Sequence, residues 1–192
     1  MSRGRRRTQG AAGNHKSGER PKLRQDEPAD HAIGRSRGGL TTKTHALVDG
    51  RGRALAVIVS PGQANDSPVL PLLLDELRVA RRGPGRPRTT PAALRGDKAY
   101  SSRSHRALLR SRGITAVIPE PSDQAAHRKR RGSRGGRPIT YDPAEYKGRN
   151  VVERFFNRMK NWRGLASRFD KHALVYRGSL VLAAIVDWLT HS

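Results

Sequence analysis

Ala92-Ala-Leu94-Arg-Gly-Asp97-Lys-Ala-Tyr100-Ser-Ser102 opens a stretch that runs to Arg112 and is followed by Gly113-Ile114-Thr-Ala-Val-Ile118-Pro119. The first segment is a short apolar run, and we read it as a strand over residues 92–97. Ser102 is placed to cap a helix, because its hydroxyl can accept from one of the free first-turn amides. That helix is predicted to end near Arg112, with Gly113 taking the left-handed position that follows. Ile114 to Ile118 is rich in β-branched residues and is closed by Pro119, so it reads as a second strand. Strand, helix and strand at this spacing imply a right-handed parallel crossover, since parallel neighbours need a long connection. Asp97 then stands at the carboxyl end of a parallel strand, where open α/β sheets place their sites.

Working towards the N-terminus, Leu40–Val48 and Ala54–Val59 read as two strands joined by the turn Asp49-Gly50-Arg51-Gly52, a hairpin signal. Ser67-Pro68 reads as an N-cap followed by proline at the first helical position, with the helix continuing through Leu70, Leu73, Leu74 and Leu77. Residues 1–38 hold almost no apolar side chains. They cannot bury enough surface to offset the entropy of ordering, so a mobile basic arm is expected there. Residues 39–192 form the remaining domain, with basic loops expected at 81–91 and 120–145. The second loop carries six Arg or Lys between Arg128 and Arg137. A final helix, about Val175–Leu189, is apolar on most sides and expected to be buried. The order β-β-α-β-α-β-α-α defines an α/β layered fold.

The 192 residues carry 39 Lys plus Arg against 16 Asp plus Glu, a formal charge of +23. Such an imbalance calls for a polyanionic partner, with nucleic acid first and an anionic membrane surface second. We read no apolar run as approaching the roughly 18 residues of a membrane span, and no apolar secretory segment at the N-terminus. With no cysteine, disulfides and thiolate metal sites are excluded, which fits a reducing cytoplasm; the expected location is cytoplasmic and nucleoid-associated.

Further along lies Tyr146-Lys-Gly-Arg149-Asn-Val-Val-Glu153-Arg-Phe-Phe-Asn-Arg-Met-Lys160. On one helix running to about Arg163, Tyr146, Arg149, Glu153 and Lys160 would share a stripe of roughly 60°. Val151, Val152, Phe155, Phe156, Met159 and Trp162 would form a separate apolar face. A carboxylate flanked by cations and a phenol can hold a divalent metal and phosphate together, the needs of an enzyme acting on a phosphodiester backbone. Asp97 is a candidate to share that metal with Glu153. Taken singly, Asp97 reads as a turn residue and Glu153 as a helix residue paired with Arg149.

Taken together, Asp97-Lys-Ala-Tyr100 and the Tyr146, Arg149, Glu153, Lys160 spacing resemble the bacterial insertion-sequence DDE transposases of the Y-R-E-K group. The segments Arg35-Ser-Arg-Gly-Gly-Leu-Thr-Thr-Lys43, Pro61-Gly-Gln-Ala-Asn-Asp-Ser67, Val117-Ile-Pro-Glu-Pro121 and Arg149-Asn-Val-Val-Glu-Arg154 extend the resemblance over residues 34–190. It implies a ribonuclease-H-like mixed sheet flanked by helices, and metal-dependent cleavage and joining of insertion-sequence ends with Mg²⁺ or Mn²⁺. Asp97 and Glu153 would be the second and third metal-binding catalytic acids. Arg149 and Lys160 would contact end-DNA phosphates, with Tyr146 in support. The partners implied are double-stranded DNA, as ends and target, and either further copies of this chain or a full-length transposase.

The family's first acid lies on a strand that precedes the Leu40–Val48 segment, and no match to it is found in residues 1–38. The chain is therefore expected to be N-terminally incomplete and to lack the first, central strand. The alternative function is then a catalytically inactive DNA-binding fragment that modulates transposition. A basic RNA-associated protein would explain the charge but not Asp97 and Glu153. Gly85-Arg86-Pro87-Arg88 and Gly136-Arg137-Pro138 resemble minor-groove hooks, although loops with Arg and Pro are the plainer reading. Arg3–Arg7 and Arg128–Arg134 suit phosphate contact without sequence selectivity, or simply a solvated face. His45, His105 and His172 show no metal-ligand spacing and are read as structural.

Overall fold

The computed structural model describes residues 28–140 and 142–190. It contains a hairpin sheet and a small parallel sheet, with helices packed on them. Strand β1 (Gly34–Ser36) pairs antiparallel with β2 (Gly39–Val48), which pairs antiparallel with β3 (Ala54–Pro61). The β2–β3 turn forms as the sequence implies. Asp49 accepts from the amides of Arg51 and Arg53 at 2.9 Å each and pairs with the Arg53 guanidinium at 2.6 Å. Burial pushes the Asp49 carboxyl up, but these bonds outweigh it and leave the group below its usual range. Gly52 takes φ +84°, a left-handed value that glycine adopts without cost.

Side chains alternate across the hairpin, as strand geometry requires. His45, Leu47, Ala56 and Ile58 face helix α1 (Val69–Glu76), while Ala46, Val57 and Val59 face the later helices. Helix α1 joins the two sheets. Its Val69 and Leu73 pack on the hairpin, and its Leu70 and Leu74 pack on the parallel pair. That pair is β4 (Ala93–Arg95) and β5 (Thr115–Val117), connected through α2 (Arg103–Ser111). The sequence predicts this unit well. The Ser102 hydroxyl accepts from the His105 amide at 3.1 Å, and Gly113 sits at φ +69°. At α1, however, Pro68 rather than Ser67 occupies the cap position. Ser67 bonds the His105 ring instead.

The remaining elements are α3 (Ser122–Arg130), α4 (Pro143–Lys147), α5 (Asn150–Lys160), α6 (Arg163–Ala166) and α7 (Ala173–Thr190). Phe155 and Met159 of α5 are buried with Val57, Tyr176, Leu180 and Ala184. Helix α7 is fastened to the hairpin by polar bonds at both ends. Arg177 donates to the Val57 carbonyl at 2.7 Å, and the Trp188 indole donates to that of Ala54 at 2.8 Å.

Several expectations are corrected. Helix α3 and a 3-10 turn at Gly132–Gly135 stand where a loop was expected over 120–145; α3 has almost no apolar side chains to announce it. The expected arm, 1–38, holds a 3-10 turn at Ala29–His31 and strand β1, while residues 1–27 lie outside the described residues. Backbone pairing to β2 and bonds from Thr42 and Arg168 to the Ala32 carbonyl hold this segment, none of which needs apolar side chains. The helix expected from Tyr146 to Arg163 is broken at Gly148-Arg149, and Trp162 leaves it, 47% exposed rather than in the core. Helix α7 is buried on one side only, with Leu174, Leu182, Ile185 and Leu189 exposed. By length and composition α7 could cross a membrane, contrary to the reading that no run approached that length. Its buried Asp187 is instead paired with Arg158 at 2.5 Å, which seats it on this domain.

Candidate active site

Asp97 follows β4 and leads the 3-10 turn Lys98–Tyr100, its carboxylate accepting from the Lys98 amide. The turn is held from behind. His105 Nδ1 lies 3.1 Å from the Tyr100 carbonyl and Nε2 lies 3.3 Å from the Ser67 hydroxyl. A carbonyl only accepts, so Nδ1 carries the proton and Nε2 receives the Ser67 hydroxyl in the neutral ring. Asp97 itself remains exposed. The half-buried Tyr100 phenol is pushed above its usual range, first by burial and then by the carboxylates of Asp66 and Asp97.

Asp97 opens onto a cavity of about 440 Å³ whose walls include Lys43, Asp66, Tyr100, Arg149 and Phe156. Lys43 donates to Asp66 at 2.8 Å and to the Ala64 carbonyl at 2.8 Å, fixing the segment before α1 to β2. His45 is buried on the same wall and bonded to Ser60 at 2.8 Å. Its pKa falls below 6.5, chiefly because burial disfavours the charged ring.

Arg95 draws the second half of the site towards β4 by donating to the Glu145 carbonyl at 2.8 Å and its carboxylate at 3.2 Å. Asp142 caps α4, and Pro143 stands at its first position. Arg149 then sits at the head of α5. Its guanidinium reaches Glu153 at 2.6 Å and lies 5.7 Å from the Tyr146 ring centre. Glu153 and Lys160 line a neighbouring depression of about 480 Å³ with Thr42, Thr44 and Asn157. Thr44 and Phe156 belong to both hollows.

Asp97 and Arg149 thus meet in one hollow and Glu153 and Lys160 in the next, with Tyr146 reaching the site through Arg149. The four motif residues do not share one continuous helix, because the turn at Gly148 intervenes. Lys43 and Asp66 were not singled out by sequence reasoning. The available signal was their place in the family-like segments Arg35–Lys43 and Pro61–Ser67. His45 and His105 are buried and hydrogen-bonded, in keeping with structural roles. His172 instead lies with Asp30 and His31, ligand atoms within 4.8 Å of one another, away from these hollows. Residues 142 apart leave no spacing signal.

Together these features define a mixed α/β domain that presents carboxylates among cations at the end of a strand. Residues 8–186 match the family model described as the transposase DDE domain. The chain is 32% identical over 150 residues to a Burkholderia cepacia protein described as a transposase for insertion sequence element IS402, covering 78% of this chain and 64% of that one. It is 32% identical over 151 residues to its counterpart for IS6501 from Brucella ovis, covering 78% of this chain and 99% of that one. The chain belongs to the DDE transposase family. It spans just under two thirds of the Burkholderia protein's length. No solved structure matches it.

Proposed function

We propose that this chain binds insertion-sequence ends and cuts and joins DNA strands there. The observation carrying this reading is that Asp97 and Glu153 line adjoining hollows sharing Thr44 and Phe156, with Lys43, Arg149 and Lys160 around them. Both carboxylates are exposed hard oxygen donors. Mg²⁺ and Mn²⁺ take such donors together with water and substrate phosphate oxygens, so the donor set fits a divalent ion. Asp97 and Glu153 would hold it, and a bound ion would supply charge stabilisation to the attacking and leaving oxygens of an in-line displacement. Water and then a DNA 3′-hydroxyl serve as nucleophiles.

The chain's own side chains prepare that chemistry. The Asp97 turn is fixed by His105, which keeps the carboxylate at the strand end. Arg149 directs its guanidinium at Glu153 in the free protein, and a DNA phosphate offers it a bidentate partner that frees the carboxylate. Tyr146 stacks on Arg149 and steers it, an interaction worth about 0.5–1 kcal/mol at an exposed position. Lys160, about three turns along from Arg149, takes a second phosphate. The antiparallel hairpin and the parallel β4–α2–β5 unit support a ribonuclease-H-like assignment of the domain, which we extend back to the 3-10 turn at Ala29–His31. The exposed cations of α3 would track the backbone of double-stranded DNA.

The test is incubation with labelled insertion-sequence-end DNA and Mg²⁺. Glu153→Gln and Asp97→Asn are each expected to lower strand cleavage at least about 100-fold while leaving end binding intact. Cleavage by Glu153→Gln at the wild-type rate would sink the assignment.

A further inference from the structure

Two short turns, far apart in sequence, are clamped together beside the start of α7. The first is the 3-10 turn Ala29–His31, closed by Ala32 at φ +47°. The second runs from Arg168, also at φ +47°, to His172, whose carbonyl accepts from the Tyr176 amide at 3.0 Å as α7 begins. Ala32 and Arg168 are the only non-glycine residues with positive φ among the described residues. The Arg168 guanidinium spans both turns. It donates to the carbonyls of His31, Ala32 and Lys171, the last two at 3.3 and 3.1 Å. The backbone of the two turns is thus fixed by a group that is not itself a metal ligand.

Three ligand-bearing side chains converge there. Asp30 Oδ2 lies 3.2 Å from His172 Nδ1. The His31 and His172 rings stand 5.2 Å apart at 89°, so both can offer a nitrogen to one point without stacking. One ligand atom from each of the three residues falls within 4.8 Å of the other two. Nitrogen and oxygen ligands about 2.1 Å from a tetrahedral zinc ion lie about 3.4 Å from one another. The Asp30–His172 separation is already of that size. The remaining gap, at most about 1.4 Å on that geometry, is within reach of side-chain rotation, since His172 and Asp30 are 62% and 65% exposed. The ligand types choose the metal. Two imidazoles and a carboxylate suit Zn²⁺ and its neighbours Co²⁺ and Ni²⁺, whereas Mg²⁺, Ca²⁺ and Mn²⁺ favour oxygen donors. The set differs in kind from Asp97 and Glu153, which are both carboxylates. Three protein ligands leave a fourth position to water. Arg168 and the N-terminal end of α7 make the surroundings positive, and the Asp30 carboxylate offsets them, so it matters as much as either ring.

We propose that Asp30, His31 and His172 form a structural Zn²⁺ site that fastens the segment before β1 to the head of α7. Asp30 and His172 are 142 residues apart. A metal clip across that span removes chain entropy from the unfolded state and adds its binding free energy to folding. The site is independent of DNA cleavage. Its test uses no DNA, so its failure would leave the reading of Asp97 and Glu153 untouched.

The probe is Zn²⁺ itself, titrated into the full chain after chelation, with Co²⁺ as its spectroscopic substitute. We expect one bound equivalent, and Zn²⁺ at about 100 times its Kd should raise the folded-to-unfolded ratio about 100-fold. Asp30→Asn, His31→Ala and His172→Ala should each weaken binding at least about tenfold, since loss of even an outer-shell partner costs that much. His172→Cys supplies a thiolate, which zinc sites also accept. It should retain binding and, with Co²⁺, show a sulfur-to-metal charge-transfer band that the wild type lacks, having no cysteine. That band identifies residue 172 as a ligand even if His172→Ala fails to fold. The proposal is overturned if no stoichiometric Zn²⁺ is bound, if the three substitutions leave affinity unchanged, or if Co²⁺-loaded His172→Cys shows no such band. It is also overturned if Glu153→Gln abolishes binding instead, because the ion would then sit in the hollows.

Discussion

Arg158 and Asp187 show how single residues decide whether this domain holds together. The Asp187 carboxylate is buried and accepts from Arg158 Nε and Nη2, at 2.5 and 2.9 Å, while Arg158 Nη2 also donates to the Gly52 carbonyl at 2.7 Å. One pair thus ties α5, α7 and the hairpin turn. Asp187→Ala leaves a half-buried guanidinium without its counter-charge and should cost about 3–5 kcal/mol in chemical denaturation. Replacing both residues by apolar ones of similar size should recover most of that loss. His45 gives a pH signature. Its folded pKa lies below 6.5, so between the two values the unfolded chain binds more protons than the folded one. The contribution is complete above about 6.5 and is lost as pH falls through that value towards the folded pKa. The urea midpoint should decline from pH 7 to pH 5, and His45→Gln should flatten that slope. An unchanged slope in His45→Gln would exclude the histidine as its source. At the site, the Arg149–Glu153 pair is exposed and i,i+4, so breaking it should cost well under about 1 kcal/mol. The loss of cleavage expected for Glu153→Gln is therefore chemical rather than structural, and an unchanged melting temperature in that variant would separate the two.

Among the elements, α3 is the clearest case of charge without packing. None of its residues is buried, and it carries Arg128, Lys129 and Arg130, with Arg131 and Arg134 just beyond. Glu120 occupies Arg128 at 2.9 Å and raises its pKa. Replacing Lys129, Arg130 and Arg131 by glutamine should leave the melting temperature within about 2 °C, since exposed charges contribute little. It should weaken DNA binding about equally on all sequences and reduce the salt slope by about one for each phosphate that is no longer neutralised. If binding is unaltered, α3 is a solvated face and no more. The same element marks where the sequence stopped being legible. The hairpin, α1, the crossover and the Ser102 cap announce themselves, because apolar periodicity, turn residues and a cap hydroxyl all act locally. Helix α3 has no apolar period, and β1 is held by backbone pairing, with the Ala32 carbonyl just before it bonded by an arginine 136 residues away. Asp97 and Glu153 could be named from motif and strand end. Lys43 and Asp66 are joined at the hollow by a bond between segments 23 residues apart, and beside the break at Gly148 Arg95 holds the Glu145 carbonyl, a contact across 50 residues that no local pattern records.

For the whole molecule, charge sets the terms of every encounter. On duplex DNA, a formal +23 over 192 residues would make release of counterions the dominant contribution to affinity. Many cations are already engaged within the protein, among them Lys43 with Asp66, Arg95 with Glu145 and Arg177 with Glu76. Those pairs hold the segments in place around the two hollows, while the cations of α3 and the 81–91 excursion lie outside the packed layers. If the exposed cations capture DNA, attraction and positioning fall to different sets of side chains, and salt should separate them. If six or more phosphates are neutralised, affinity for duplex DNA should fall by about 10³–10⁵ between 50 and 200 mM salt. Thermal stability over the same range should hardly move, because the buried Arg158–Asp187 pair and the apolar clusters are screened far less. Fluorescence anisotropy with duplex DNA, set beside a thermal melt at each salt concentration, makes the comparison. A shallow binding slope, or a melting temperature that falls in step with affinity, would mean that the cations serve to hold this domain together rather than to capture DNA.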